Sequence, residues 1–317
     1  SCNSCHDTGQ ESDDSLQRGE LPGLLVNEIG GIHGVLHSPV EFLKKHFYLI
    51  TMKEFLENRI ILPNLKVIAN SGAGMDHLDL KLIAGFGVKM ASAPHAVSSS
   101  TTDTGMALLL ASARRLVEGC HVAVSPGTEY CEVDFLGVKV TRATLGIIGM
   151  GSIGYKIALR AEAFQMNILY HNWTRRKEHE EQLVGAIYCE KIDNLLQQSG
   201  LVMGVVSLTP QRHKLIGKRE LKLMKPTATL INISGVVDQE ALVRALQAGA
   251  IGAAAVDVTY PEPLPGDHPL LQLKNVIITP HLGIKTEKAT RMITEEAVES
   301  ILAAVNGLPI PSEVLPS

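Results

Sequence analysis

A histidine and two carboxylates lie near the C-terminal end of the chain, in segments that could perform acid–base chemistry. His281 follows the apolar run NVIITP, and Asp257 and Glu262 lie in the preceding segment VDVTYPEP. A carboxylate beside an imidazole orients the ring and raises its pKa, which suits the pair to donate a proton near neutral pH. A single histidine is more often a structural residue, so this interpretation depends on the motifs that accompany it.

A glycine-rich motif lies earlier in the chain, directly after another apolar run. In LGIIGMGSIG, Gly149, Gly151 and Gly154 have the G-x-G-x-x-G spacing, and Ser152 and Ile153 lie between the last two. These glycines permit a tight turn and let a pyrophosphate approach the N-terminus of the next helix. Between a strand and a helix the motif predicts a dinucleotide site. The alternative is a glycine turn that binds no ligand.

The segment NILYHNWTRRKE bears on which dinucleotide binds. An enzyme that prefers NAD usually ends this strand with Asp or Glu, which holds the ribose hydroxyls. Here His171 and Asn172 occupy that region, and Arg175 and Arg176 follow. Cations without a carboxylate favour a 2′-phosphate, so the segment indicates NADPH, with NADH as the alternative. Two exposed surface arginines would give the same sequence.

These residues lie at the ends of apolar runs that alternate regularly with helical stretches from Thr144 onward. Short apolar runs separated by helices predict a doubly wound parallel sheet that is covered on both faces. The carboxyl ends of its strands then meet at one edge, where such sheets bind ligands. The predicted strands are TLGIIGMG, MNILYH, LVMGVVSL, TATLINIS, IGAAAVDV and NVIITPHLG.

The first hundred residues show a second, smaller alternation of elements. Strands are predicted at 23–29 and 47–51 and in LKVIANSGAG and VKMASAP, with helical spacing at 38–47. A long helix is predicted over 98–119. We therefore predict an α/β protein of two Rossmann- or flavodoxin-like domains, with parallel sheets and a cleft between them.

The predicted domain boundaries follow from this alternation. Residues 1–20 are expected to be a disordered tail. Residues 21–97 together with 286–317 are predicted to form a discontinuous first domain, because the last helix returns to it. Residues 98–285 are predicted to form the nucleotide-binding domain.

Composition argues against several other classes of function. The chain has 317 residues, 45% hydrophobic and 20% charged, with a formal net charge of −4. Its basic residues are not concentrated in one block, so nucleic-acid binding has no electrostatic support. No apolar run is long enough to span a bilayer, and no metal site is predicted. Five scattered cysteines favour a reduced, cytoplasmic setting over a disulfide framework.

The N-terminal tail contains one further motif, CNSCH. Cys2, Cys5 and His6 match the C-x-x-C-H spacing of covalent haem attachment. The surrounding segment has almost no apolar residues to enclose a haem, so a tail that happens to hold two cysteines is the favoured interpretation. A metal or redox role for the cysteines is the alternative.

Together, these segments resemble the D-isomer-specific 2-hydroxyacid dehydrogenases, and within them the glyoxylate/hydroxypyruvate reductases. The resemblance runs from Leu21 to the C-terminus in the family's order. It rests on NSGAGMDHLDL, ALLLASARRLVEG, LGIIGMGSIG, SLTPQRHKLIGKREL, MKPTATLINIS and VDVTYPEPLPGDHPLLQLKNVIITPHLG. It implies that NAD(P)H reduces a small 2-keto acid to the D-2-hydroxy acid, and that the protein is a homodimer.

The resemblance also implies roles for individual residues. His281 corresponds to the proton donor and Glu262 to the carboxylate that pairs with it. Gly72, Ala73 and Gly74 correspond to the backbone turn whose N–H groups bind the substrate carboxylate. The remaining correspondences line the nicotinamide pocket: Thr209, Pro210, Ser234, Asp257 and Gly283.

The sequence departs from the family in the turn after the strand LINIS. The family has Arg-Gly and a spacer before Val-Val-Asp, whereas here Ser234 is followed directly by Gly235, Val236, Val237 and Asp238. The turn is two residues short and lacks the arginine that reaches the substrate's carboxylate and carbonyl oxygens. Loss of such a group commonly costs about 3–5 kcal/mol of transition-state stabilisation.

A second departure lies between KEFLENR and LPNLKVIANSG, where the family has a further strand with its flanking helices. A doubly wound sheet without an interior strand must re-pair its neighbours or leave an edge exposed. The two gaps motivate an alternative function, a catalytically impaired nucleotide-binding paralogue. A translation product that does not fold stably is a third possibility.

Overall fold

The computed structural model describes residues 25–29 and 32–37 as strands and, in more detail, residues 65–70, 74–75, 78–125, 127, 135–206 and 212–315. Several predicted features lie outside these residues and stay predictions. They are the tail 1–20 with its CNSCH motif, the helix 38–47, the strand 47–51, and the site residues Gly72, Ala73, Thr209 and Pro210.

The smaller sheet has four strands in the order β1-β2-β3-β4. They are β1 Leu25–Ile29, β2 Ile32–His37, β3 Val67–Asn70 and β4 Lys89–Ala91. β2, β3 and β4 are parallel, whereas β1 and β2 form an antiparallel hairpin that was not predicted. The overlooked signal was Gly30-Gly31 between two apolar runs, a dipeptide typical of hairpin turns.

In the smaller sheet, two strands from either side of the second sequence gap pair directly with each other. β2 precedes the gap in the sequence and β3 follows it, and the two strands lie side by side with Val35 opposite Ile68. The strand predicted at 47–51, which directly precedes the gap in the sequence, lies outside the described residues, so the expected re-pairing of the lost strand's neighbours stays a prediction.

Three helices lie between β3 and the first strand of the larger sheet: α1 Leu80–Gly85, α2 Pro94–Ala113 and α3 Leu116–Val124. The single helix predicted over 98–119 is therefore wrong, because two helices share that segment. The break falls at Arg115, whose φ of 51° lies in the left-handed region. A helix does not continue through that conformation.

The larger sheet has seven strands in the order β11-β10-β9-β8-β5-β6-β7. All of its strand pairs are parallel. Six strands lie within predicted runs, and only the edge strand β7, three residues long, was missed. The bounds are β5 Thr144–Ile148, β6 Asn167–His171, β7 Ala186–Tyr188, β8 Leu201–Gly204, β9 Thr229–Asn232, β10 Ala253–Val256 and β11 Val276–Ile278.

Helices cover both faces of the larger sheet, as the continuous apolar runs predict. Successive strand residues enter opposite cores: Ile147 packs in one apolar cluster and Ile148 in the other. The chain order changes direction beside β5, which has β6 on one side and β8 on the other, so the crevice for a ligand lies there. The helices are α4 Ser152–Ala163, α5 Glu178–Leu183, α6 Ile192–Gln198, α7 Lys218–Leu223 and α8 Gln239–Gln247.

The last helix, α9 Glu287–Val305, leaves the larger sheet and packs on the smaller one. Ala297 and Ile301 of α9 share an apolar cluster with Val67 and Ala69 of β3. The predicted domain boundaries around residues 97 and 285 stay predictions. In the part of the chain that the structure describes, no helix is long and apolar enough to cross a membrane.

Candidate active site

The glycine loop joins β5 to α4 at the edge where the sheet order changes. Gly149 has a φ of 101°, which favours glycine, and its N–H donates to the His171 carbonyl oxygen at 2.9 Å. A Cβ on Gly149 would lie 2.6 Å from Val206 Cγ1, and a Cβ on Gly154 would collide with the Gly149 carbonyl oxygen. These two glycines are therefore required by the fold itself.

Gly151 differs from its two neighbours in the motif. A Cβ built on it would meet no atom within 4 Å, so the protein does not need glycine there. Gly151 is also the N-cap of α4 and has no side-chain cap, which leaves the first N–H groups of that helix, beginning at Ser152, available to a ligand. Open space beside uncapped N–H groups fits the pyrophosphate of a dinucleotide. Ile153, the third residue in this turn, packs against the core.

Substitution of these glycines separates folding from ligand binding. Gly151→Val is expected to keep the thermal midpoint within a few degrees while NADPH affinity falls by at least about tenfold, because the side chain fills the space of the pyrophosphate. Gly154→Val is expected to lower the thermal midpoint strongly, because its side chain collides with the backbone. Thermal unfolding and NADPH fluorescence titration check both variants. A Gly151→Val protein with wild-type affinity would contradict this assignment.

Arg176 lies against the glycine loop. Its Nε donates to the Met150 carbonyl oxygen at 2.8 Å, and its Nη1 bonds Glu180 Oε1 at 2.9 Å. The guanidinium lies 5.1 Å from the centre of the Tyr155 ring. These contacts place a fixed positive charge beside the loop that would hold the nucleotide.

Arg175 points to a different partner. Its Nε and Nη2 bond the two carboxylate oxygens of Glu181 at 2.9 and 2.7 Å. Glu181 is buried and also accepts a hydrogen bond from the Tyr170 hydroxyl. Sequence reasoning placed both arginines at a 2′-phosphate. In the structure Arg176 contacts the glycine loop, and Arg175 forms a salt bridge with the buried Glu181.

The contacts of Glu181 with Arg175 and Tyr170 shift the pKa of Glu181 and of the Tyr170 hydroxyl. The hydrogen bonds from Arg175 and then Tyr170 lower the pKa of Glu181 to about 2, and burial followed by the bond to Glu181 raises the pKa of Tyr170 to about 12. The stabilisation from Glu181 is present above the ordinary carboxyl pKa and is lost as pH falls toward 2. The network therefore holds the loop around Arg176 over the whole physiological range of pH.

Glu262 and His281 form the predicted acid–base pair. His281 Nδ1 lies 3.1 Å from Glu262 Oε2, and the Thr259 N–H donates to Glu262 Oε1 at 3.0 Å. The hydrogen bond with Glu262 raises the pKa of His281, while partial burial and the charge of Lys285 act in the opposite direction. Because Nδ1 is engaged and the side chain is half exposed, Nε2 is the atom available to a substrate.

Asp257 organises the turn that carries His281. Its buried carboxylate accepts from Thr279 Oγ1 at 2.6 Å and from the N–H groups of Leu282 and Gly283 at 2.7 and 2.9 Å. Its carbonyl oxygen accepts from the His281 N–H at 2.9 Å. Sequence reasoning placed Asp257 and Gly283 in the nicotinamide pocket. The structure bonds their side-chain and backbone groups to each other and to this turn, and also to Asn232 of β9 and Thr101 of α2.

Gly283 and Ser234 are the remaining pocket residues that the structure describes. A Cβ on Gly283 would lie 3.3 Å from Asp257 Oδ2 and from Thr101 Oγ1, so a larger residue would press on the turn. The Ser234 Oγ, just beyond β9, is buried and has no hydrogen-bond partner among the described residues. An orphaned hydroxyl at the edge of the sheet fits a polar group of the nucleotide.

Gly74 lies at the end of the smaller sheet. Its carbonyl oxygen accepts from Asn70 Nδ2 at 2.9 Å, which ties the residue to the end of β3. The structure thus gathers His281, Glu262, Asp257 and Gly283 in one cluster and the glycine loop with Arg176 in another, and leaves Gly74 on the other sheet. Within the described residues, no group of His, Cys, Asp and Glu could hold a metal ion.

Two residues of this region were not singled out as functional from the sequence. Lys285 is exposed and lies in the turn after His281, where its charge acts on the imidazole. Gln239 hydrogen-bonds the loop that carries Glu262. Lys285 lies four residues after His281 in the sequence, which could have drawn attention to it, whereas nothing in the sequence marked Gln239.

Comparisons with known proteins identify the family of the chain. The profile of the D-isomer specific 2-hydroxyacid dehydrogenase NAD binding domain matches residues 106–283. A glyoxylate reductase of Thermococcus gammatolerans is 40% identical over 252 residues, covering 77% of this chain and 75% of the relative. A glyoxylate/hydroxypyruvate reductase B of Enterobacter sp. (strain 638) is 39% identical over 250 residues, covering 78% and 76%.

A solved structure shows the same fold. The TT0316 protein from Thermus thermophilus is 33% identical and superposes with a TM-score of 0.75, covering 87% of this chain and 96% of that one. The predicted family and the predicted α/β fold with parallel sheets are confirmed. The chain belongs to the D-isomer-specific 2-hydroxyacid dehydrogenases, a family of oxidoreductases.

Proposed function

We propose that the protein reduces a small 2-keto acid of the glyoxylate or hydroxypyruvate type to the D-2-hydroxy acid. The observation that carries the proposal is the hydrogen-bonded Glu262–His281 pair, which is assembled on the same sheet as the glycine loop. The names of the relatives, glyoxylate reductase and glyoxylate/hydroxypyruvate reductase, support the substrate class.

His281 acts as the proton donor in this proposal. A bound nicotinamide supplies the hydride that C2 of the keto acid accepts. The protonated His281 gives its Nε2 proton to the carbonyl oxygen as negative charge develops there, and Glu262 on Nδ1 stabilises the imidazolium beforehand. Asp257 keeps the turn in place, so the imidazole is held in one orientation before substrate arrives.

We propose NADPH as the favoured cofactor, with NADH as the alternative. β6 ends at His171 rather than at Asp or Glu, and the less exposed carboxylates farther on, Glu180 and Glu181, are engaged by arginines. The strand end itself therefore offers no carboxylate to hold two ribose hydroxyls. Arg176, fixed against the glycine loop, supplies the charge suited to a 2′-phosphate, and Arg175 supports that loop through Glu181.

The substrate carboxylate needs its own partners, and we propose two. The backbone turn at Gly72, Ala73 and Gly74 offers N–H groups, and Lys285 offers a positive charge. Lys285 is exposed, and its ammonium has no ion pair or hydrogen bond within the described part of the chain. Lys214, by contrast, lies 3.6 Å from Asp238 Oδ2. Because its charge acts on His281, Lys285 is the cation that we propose to compensate for the arginine missing after Ser234.

Lys285→Gln is expected to raise KM for hydroxypyruvate about two- to fivefold, with little change in kcat. An exposed charge contributes only about 0.5–1 kcal/mol after solvent screening, and salt weakens it further. Steady-state kinetics at low and high ionic strength measure the effect, which should shrink with salt. Lys288→Gln, an exposed lysine in the first turn of α9, is the matched control. Equal KM values for both variants would remove Lys285 from the site.

The second candidate function is a catalytically impaired nucleotide-binding paralogue. The turn from Ser234 to Asp238 favours it, because this turn carries no cation. Such a protein would bind NADPH and show no turnover with any 2-keto acid.

One assay decides between the two candidates. Purified protein is mixed with NADPH and either glyoxylate or hydroxypyruvate, and oxidation is followed by the absorbance of the reduced cofactor. Turnover with formation of D-glycerate from hydroxypyruvate supports the reductase. NADPH binding without turnover at millimolar substrate overturns it and leaves the paralogue.

We also propose a homodimer, with the cytoplasm as its expected compartment. Large apolar side chains are exposed on α3 and in the segment after it, among them Val124 at 78% and Leu136 at 74%. Apolar surface of this kind is often covered by a partner subunit. Sedimentation velocity at micromolar concentration tests the assembly, and a monomer would contradict it.

A further inference from the structure

Gln239, the first residue of α8, makes an unusual set of contacts with the loop after β10. Its Nε2 donates to the Tyr260 carbonyl oxygen at 3.0 Å, and its Oε1 accepts from the Tyr260 N–H at 3.1 Å. The same Nε2 lies 2.9 Å from His268 Nε2. The amide therefore pairs with both backbone polar groups of Tyr260, as a neighbouring strand would.

Neighbouring residues of the loop have their own hydrogen bonds, from Asn232 Nδ2 to the Val258 carbonyl oxygen and from Thr259 Oγ1 to the Pro261 carbonyl oxygen, both at 3.3 Å. The described hydrogen bonds of the Tyr260 backbone itself are those with Gln239. Tyr260 as a residue is 86% exposed, so packing of its side chain does not fix the backbone. Glu262 follows two residues later and is anchored within the loop by the Thr259 N–H at 3.0 Å. The position of the Glu262 carboxylate thus depends on how the backbone of residues 259 to 262 is held.

The other end of the contact is rigid. Asp238 caps α8 by accepting from the Ala241 N–H at 3.1 Å, and its own N–H donates to the Ile216 carbonyl oxygen at 3.0 Å. Ala241 and Leu242 of the same helix are buried in the core. Gln239 is therefore carried by an element that is fixed on both sides of the residue.

We propose that Gln239 is a positioning residue. By holding the backbone of Tyr260, it keeps the Glu262 carboxylate at hydrogen-bond distance from His281. The inference rests on the proposed reductase function, because it assigns Gln239 a part in that reaction. Gln239 does not contact the substrate. It sets the place of the carboxylate that orients His281 and keeps the imidazole protonated.

Gln239 directly follows the turn that is shorter than in the family. The turn from Ser234 to Asp238, which lacks the family arginine, ends at the residue before Gln239. A change of turn length alters the start of α8 unless Asp238 keeps its bonds to Ile216 and Ala241. Those bonds are present, so the hydrogen bonds between Gln239 and the Tyr260 backbone are kept although the turn is short.

The expected effect follows from the charged groups that face His281. Glu262 raises its pKa, Asp257 acts in the same direction and Lys285 in the opposite one. If the loop loosens, the Glu262 contribution weakens while the other two remain. The pKa of His281 then falls toward its ordinary value, and the alkaline limb of the pH profile for reduction moves to lower pH.

The test uses the full-length protein with Gln239→Ala, Gln239→Glu and the control Gln247→Ala, an exposed glutamine of the same helix. Gln239→Ala is expected to lower kcat about tenfold and to shift the alkaline limb downward, because displacement of a catalytic group by about 1 Å can cost up to about a hundredfold. Gln239→Glu keeps the acceptor for the Tyr260 N–H and should fall between Gln239→Ala and wild type. NADPH affinity and the thermal midpoint should match those of Gln247→Ala.

A second measurement keeps this test independent of turnover. The pKa of His281 is read from the titration of its imidazole carbon signal, assigned with a His281→Gln variant. A lower pKa in Gln239→Ala than in wild type supports the positioning role even when the wild type shows no reductase activity. An unchanged His281 pKa, or a loss of kcat without a shift of the alkaline limb, overturns it.

Discussion

Replacement of His281 by glutamine is expected to lower kcat for hydroxypyruvate by about 10²–10⁴-fold, the usual contribution of a positioned general acid. NADPH affinity should stay at the wild-type value, because His281 has no described contact with the glycine loop. Stopped-flow and steady-state NADPH oxidation measure the change. His179→Gln, which replaces an exposed histidine on α5, is the control for the loss of an imidazole elsewhere.

The pH dependence of Glu262→Gln gives the same assignment a second test. The hydrogen bond with Glu262 raises the pKa of His281, so the imidazole stays protonated to higher pH than a free histidine. An uncharged glutamine keeps the shape and removes the charge, so the alkaline limb should move to lower pH. Full activity of His281→Gln, or an unchanged limb in Glu262→Gln, would show that another group donates the proton.

Insertion of Arg-Gly after Ser234 is expected to raise kcat/KM for hydroxypyruvate by about 10²–10³-fold. A guanidinium can bind the carboxylate and the developing alkoxide through two parallel hydrogen bonds, which an exposed ammonium such as Lys285 cannot do. The insertion also returns the turn to the length usual in the family. Kinetics of the inserted and unaltered chains, measured side by side, test this expectation.

Insertion of Ala-Gly at the same place is the control for turn length alone. It should leave kcat/KM near the unaltered value, because it adds no charge. Equal rates for the Arg-Gly and unaltered chains would mean that Lys285 or the backbone turn already supplies the required charge. Turnover by the Arg-Gly chain alone would identify the natural chain as a cofactor-binding relative of the reductases.

Most of the larger sheet could be predicted from the sequence, because its strands are buried on both faces and read as continuous apolar runs. β7 was missed since it is only three residues long and lies at the edge. The antiparallel pairing of β1 and β2 was not predicted, although the sequence Gly30-Gly31 between them is a dipeptide typical of hairpins. The division of the helix at Arg115 was missed because no proline or glycine marks it.

The candidate site could be predicted as a set of residues but not as a set of contacts. The glycine motif, His281 and Glu262 each follow an apolar run, so their place at the edge of the sheet follows from the strand pattern. The contacts of Arg175 with Glu181 and of Gln239 with Tyr260 depend on where loops from different strands meet. Sequence spacing does not determine such distances, since they are set by the order of strands in the sheet.

The bonds around Asp257 have a mechanical consequence for the reaction. They join the turn of His281 firmly to β10, so the proton donor moves with the larger sheet. Gly74, at the proposed binding turn for the substrate carboxylate, moves with β3 of the smaller sheet. Under the proposed function, we expect relative motion of the two sheets to change the distance between His281 and a substrate carboxylate held at Gly74. A ligand that engages only one of the two sheets should then escape reduction.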